Sequence, residues 1–107
     1  MFSEPGPPSN VQIYPFGEFF LVKWTQPKEP NGIITNYQVG SAEYNGPSPE
    51  NVVVDMETVE PDIRQKLLGN AKFETGYVVE VRARTSKGWG AGFRTTTKTI
   101  KKSGEEI

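Results

Sequence analysis

The stretch Tyr77-Val78-Val79-Glu80-Val81-Arg82-Ala83 decides how the rest of the chain is read. Side chains of an extended backbone alternate between two faces. Tyr77, Val79, Val81 and Ala83 therefore fall on one side, and Val78, Glu80 and Arg82 on the other. The first side is apolar and the second carries a carboxylate and a guanidinium. This is a strand with one buried face, and the remaining chain must provide a layer to cover it.

At 107 residues the chain has the size of one compact domain. Its 11 Gly and 9 Pro mark many turns between short elements, and no long helical periodicity runs through it. Together these predict an all-β fold. Two Trp, four Tyr and six Phe give the core large rings to bury. A formal net charge of -1 provides no bulk attraction to nucleic acid or a membrane surface. No apolar run approaches the roughly 18 residues of a membrane helix, and no signal-peptide pattern opens the chain. Absence of Cys fits the cytosol and an unstapled secreted sandwich equally well.

Working outward from the central strand, residues 10–14 read as a short edge strand stopped at Pro15, followed by a turn at Gly17-Glu18. Residues 19–24 form the second strand. Phe20, Val22 and Trp24 point inward, and Phe19 and Leu21 are exposed apolar residues on the face marked by Lys23. Residues 27–32 are a Pro- and Asn-Gly-punctuated loop. Residues 33–39 are the third strand, with Ile34 leading in and Tyr37 and Val39 inward. The β-branched run 52–54 reads as the fourth strand. Residues 55–70 fit either a helical turn ending at Gly69 or a short strand. The strand is preferred, because a helix would leave one sheet a strand short. After the central strand, residues 86–93 form a Gly-rich hairpin loop and 94–100 the last strand. The expected domain is 7–101, with a Pro-rich linker at 1–6 and a polar tail at 102–107. Met1 directly before that Pro-rich lead resembles the start of an expressed fragment, so neighbouring domains are expected.

Several stretches resemble the fibronectin type III family. Pro7-Pro8-Ser9-Asn10-Val11 resembles its first strand, and Val22-Lys23-Trp24 with Pro27 its second. Gly32-Ile33-Ile34-Thr35-Asn36-Tyr37-Gln38-Val39 is similar to its Gly-x-Ile-x-x-Tyr-x-Val third strand. Thr75 to Ala83 resembles its Thr-x-Tyr-x-Val-x-Val-x-Ala sixth strand, and Gly88 and Gly90 sit where the family has a Gly-x-Gly loop. The resemblance implies a seven-stranded immunoglobulin-like β-sandwich with Trp24, Tyr37, Tyr77, Val79 and Val81 in its core. It also makes Tyr77 the tyrosine corner, with its hydroxyl bonded to backbone several residues upstream. The chain departs from the family there. Ala71 and Phe73 hold the positions of the family's Leu and Pro, so either Leu67 and Leu68 provide the missing volume or the corner is rebuilt around Phe73. Residues 15–24 and the Pro-Asn-Gly loop look most like domains of neural immunoglobulin-superfamily adhesion receptors; receptor tyrosine phosphatases carry similar domains.

The sequence contains no candidate for catalysis. Nucleophilic catalysis by Ser wants a base, normally His, and the chain has neither His nor Cys. Asp55 with Glu57, and Glu60 with Asp62, read as solvated loop acids without the spacing of a calcium loop. The glycines at 88, 90 and 92 precede no Lys-Ser/Thr, so no phosphate loop is present. No cofactor and no metal ligand set is predicted.

Charge is distributed unevenly. Residues 43–62 hold six acids and no base; residues 82–102 hold seven bases and no acid. Arg82 and Arg84 point outward about 7 Å apart, and Arg94 or Lys98 can join them from the next strand. Ordinary solvated strand faces and a weak site for acidic polysaccharide or acidic protein are the two readings of this patch. Trp89, between two glycines at a loop tip, either meets a partner or folds back on the domain's own surface. No Arg-Gly-Asp and no Asn-x-Ser/Thr occurs. The resemblance implies an extracellular, non-catalytic module of a single-pass cell-surface receptor. Trp89, Arg82, Arg84 and Arg94 are its candidate contacts on one sheet, and Phe19 and Leu21 on the other. A structural module of an intracellular muscle filament and an accessory domain of a secreted carbohydrate-active enzyme are the alternatives.

Overall fold

The computed structural model describes residues 4–100. In chain order the strands are β1 (Ser9–Phe16), β2 (Phe19–Thr25), β3 (Asn36–Glu43), β4 (Asp55–Val59), β5 (Gln65–Leu68), β6 (Gly76–Thr85), β7 (Gly88–Trp89) and β8 (Phe93–Lys98), with one 3-10 turn at Pro49–Asn51. All pairings are antiparallel. One sheet has the order β1-β2-β5; the other has β4-β3-β6-β7, with β8 also paired to β6. This is a two-sheet sandwich. It has one more strand than the seven expected, because β7 separates from β8 at residues 90–92.

The sheets meet through large rings. Phe20, Val22 and Trp24 of β2 are buried against Tyr37 and Val39 of β3 and Tyr77, Val79, Val81 and Ala83 of β6. Phe20 and Tyr77 meet edge to face at 5.1 Å, and Trp24 and Tyr37 are tilted at 5.7 Å. Edge-on and tilted pairs are the favoured aromatic geometries. The Lys72 N–H donates to the Tyr77 hydroxyl at 2.8 Å, which fixes the chain just before β6. Only Leu68 of the two leucines packs against the core, beside the buried Ala71. Leu67 faces out, and Phe73 is half-buried in the turn.

Several expectations are corrected. β1 runs through Pro15 to Phe16, because it is an edge strand, where a missing N–H need not interrupt a ladder. The third strand is Asn36–Glu43, and Ile33 is 85% exposed in the preceding loop. The fourth is Asp55–Val59 instead of 52–54. Its pairing with β3 ends at Ser41↔Asp55, which leaves Val53 86% exposed. β-Branched composition favoured 52–54, but the register with β3 decides. At 55–70 the strand reading holds, as β5. Val78 was expected in water with Glu80 and Arg82, yet it is fully buried, opposite Ala42 and Thr96. The 86–93 loop contains a tight hairpin with Arg84↔Trp89 and Thr85↔Gly88 paired. The last strand ends at Lys98. The following Thr99 is buried, and its hydroxyl accepts from the Thr75 N–H at 2.8 Å.

Residues 4–8 lie against the domain: Pro5 and Pro8 are buried, and the Gly6 N–H donates to the Glu29 carbonyl at 2.9 Å. Lys101, Lys102, the tail and residues 1–3 of the linker lie outside the described residues.

Candidate functional site and interaction surfaces

The outer face of the larger sheet carries one candidate surface. Glu80, Arg82 and Arg84 alternate outward on β6, and β7 places Trp89 directly opposite Arg84. The Arg82 guanidinium lies 5.3 Å and that of Arg84 5.7 Å from the Trp89 ring centroid. Trp89 is therefore on a strand, half-buried beneath two arginines, and not at a loop tip. Arg82 Nε donates to Gln38 Oε1 at 2.8 Å, and Gln38 Nε2 donates to Thr58 Oγ1 at 3.1 Å. A row of polar side chains thus runs from β4 across β3 and β6 to the indole on β7.

Arg94 has a different role from its neighbours. Its Nη2 and Nε donate to Glu80 Oε1 at 2.6 and 3.1 Å. Its Nη1 donates to the carbonyls of Pro49, Glu50 and Val52 at 3.0, 3.1 and 2.7 Å. The side chain is part-buried and holds the 49–52 segment over this end of the face. The acids of the opposite half are partly neutralised from elsewhere: Lys66 pairs with Glu57 at 3.0 Å and Lys72 with Glu43 at 3.3 Å. Among the described residues, Arg82 and Arg84 have no carboxylate within ion-pair distance. Lys87 is exposed in the β6–β7 turn beside them, and Lys98 is exposed at the far end of β8.

The outer face of the smaller sheet carries an apolar cluster beside the exposed polar row Gln12, Lys23 and Gln65. Tyr14, Phe16, Phe19 and Leu67 are each between 42% and 49% exposed. The register sets Tyr14 beside Leu21, and Leu21 beside Leu67. Leu21, expected to be exposed, is half-buried between these neighbours. Phe16 and Phe19 meet at 6.0 Å. Phe19 and Leu21 are thus joined by Tyr14, Phe16 and Leu67, which the sequence reading missed. The signal was present: Gln12, Tyr14 and Phe16 share one face once the strand is allowed to continue through Pro15.

A cleft of about 450 Å³ opens between the edges of β4 and β5 and is lined by residues including Met56, Glu57, Lys66 and Leu68. The Lys66–Glu57 ion pair spans it. In the core, the Tyr37 hydroxyl and Trp24 Nε1 are buried without a hydrogen-bond partner among the described residues. Burial pushes the Tyr37 phenol pKa above its ordinary value, opposed by the Arg64 guanidinium, which lies 5.1 Å from the ring centroid.

Comparison with known proteins matches residues 6–100 to the fibronectin type III domain. Sidekick-2 of Mus musculus is 32% identical over 100 residues, covering 92% of this chain and 4% of that protein. Receptor-type tyrosine-protein phosphatase U of Gallus gallus is 32% identical over 84 residues, covering 76% of this chain and 6% of that protein. Ephrin type-B receptor 3 of Homo sapiens is 31% identical over 87 residues, covering 77% of this chain and 8% of that protein. The chain thus spans only a small part of the relatives it matches. A solved structure described as a myokine superposes with a TM-score of 0.72 at 17% identity, covering 92% of this chain and all of that one, and shows the same fold. With two sheets joined by Trp24 and Tyr77, and with the family match spanning nearly the whole described chain, this protein belongs to the fibronectin type III family.

Proposed function

We propose that this domain is a non-catalytic, extracellular contact and spacer module of a single-pass cell-surface receptor. The observation that carries the reading is the outer face of the smaller sheet. Tyr14, Phe16, Phe19, Leu21 and Leu67 form a contiguous, partly exposed apolar surface, the kind of feature that marks a protein contact site. Aromatic rings, Phe and Tyr among them, are enriched at the centres of such contacts. The relatives named as receptors support the cell-surface placement. The second face, with Arg82, Arg84 and Trp89, meets an anionic partner, while Arg94 holds the scaffold beside it.

Footprinting of the parent protein on intact cells with a membrane-impermeant carbene reagent tests this reading, with the isolated domain as reference. We expect Lys28, exposed in the loop after β2 and outside both proposed contact faces, to be labelled on intact cells. We expect Tyr14, Phe16 and Phe19 to be labelled in the isolated domain and protected in the parent. Labelling that requires permeabilised cells contradicts the extracellular placement. Equal labelling of the three rings in both states contradicts the contact face.

A further inference from the structure

We infer that the Arg82–Trp89–Arg84 face is a preformed site for a sulfated polysaccharide, a ligand class narrower than the anionic partner proposed above and resting on that reading. Both guanidiniums stack on one indole, and neither has a carboxylate partner among the described residues. Stacking and the Gln38 bond fix Arg82 through its Nε and leave its Nη groups for a ligand. Arginine held in this way loses little rotamer freedom on binding an oxyanion, and its planar fork matches the sulfate edge. The two arginines lie about 7 Å apart along β6, and Lys87 extends the positive line at the hairpin turn. Glu80 is the next outward residue on the same strand and would repel a polyanion. Its carboxylate is bonded by Arg94 instead.

The shape of the face selects a sugar chain over an acidic peptide. β6 is an interior strand, paired with β3 on one side and with β7 and β8 on the other. Its backbone is engaged along the paired residues, and the edge beside Arg84 is the two-residue β7, too short to template an added peptide strand and followed at Gly90 by the packed backbone of Pro5. A polysaccharide carries no amide ladder to satisfy. It needs only anions for the guanidiniums, a sugar face against the exposed part of Trp89, and hydrogen bonds from groups such as Asn36, which pairs with Arg84 on β3.

Tryptophan fluorescence titration with a heparin octasaccharide at about 0.1 M salt tests the assignment, with poly-glutamate of matched charge as comparator. The octasaccharide is expected to shift Trp89 emission, and Trp89→Phe is expected to abolish that shift. Arg84→Gln leaves the fold intact, because Arg84 is exposed. It is expected to weaken binding several-fold, and Arg82→Gln/Arg84→Gln about tenfold or more with a shallower salt dependence. Lys23→Gln, on the other sheet, is expected to change nothing. The inference is overturned if the native domain fails to bind the octasaccharide, or if Lys23→Gln weakens binding as much as Arg84→Gln. It is also overturned if poly-glutamate binds as tightly; in that case the face remains an anion contact, and only the ligand class is wrong. The footprinting of the apolar face is unaffected by any of these outcomes.

Discussion

Two buried tyrosines of this core differ at a single atom. The Tyr77 hydroxyl accepts the Lys72 N–H, whereas the Tyr37 hydroxyl has no partner among the described residues. Tyr77→Phe leaves a backbone donor without its acceptor and is expected to lower stability by about 1–2 kcal/mol in urea melts. Tyr37→Phe removes a hydroxyl that makes no hydrogen bond among the described residues and is expected to change stability by less than about 1 kcal/mol at neutral pH. The pH dependence separates the two further. The folded state holds the Tyr37 proton more tightly than the unfolded chain, whose phenol has the ordinary value of 10.0. The stability this provides is complete below that value and is lost as pH rises past it. Melts across that range are expected to show a decline in the native protein that is smaller in Tyr37→Phe.

Among the elements, the arginines of β6 and β8 look alike in sequence and behave differently in the fold. Arg94→Gln removes the partner of Glu80 and frees three carbonyls of the 49–52 segment. It is expected to cost about 1–3 kcal/mol and to speed amide exchange at Asn51 and Val52. Arg84→Gln is expected to cost less than about 0.5 kcal/mol. Close approach of backbones also decides local structure. A Cβ at Gly90 would overlap the Pro5 carbonyl oxygen, so Gly90→Ala must displace the 4–8 segment, and faster exchange at Gly6 should report it. Strand existence and facing were legible wherever alternation was strong, as in Phe20-Val22-Trp24 and Tyr77-Val79-Val81. Strand ends were not, because Ile33 and Val53 are β-branched but lie beyond the reach of their partners' register. Val78 was misread for a related reason. Period-2 alternation describes one strand, whereas its burial depends on the rest of the outer face. Of the candidate contacts, Arg82, Arg84 and Trp89 were legible as residues, but their stacking depends on the β6–β7 pairing. Nothing in the local sequence marks Arg94 as a clamp, because the three carbonyls it holds lie more than forty residues upstream.

For the whole molecule, the proposed role depends on a rigid scaffold that presents two chemically different outer faces. One face carries an apolar cluster on β1, β2 and β5; the other carries two guanidiniums on β6. Each stays in place only while the inner faces of the two sheets remain packed together. That packing depends most on Trp24, which is fully enclosed and tilted against Tyr37. The direct measurement is urea unfolding of Trp24→Ala against the native domain. Emptying a site of this size is expected to lower stability by about 3–5 kcal/mol, a large share of what a domain of this length has. A loss under about 1 kcal/mol would mean that the sheets are held by something other than this ring, and would contradict the account.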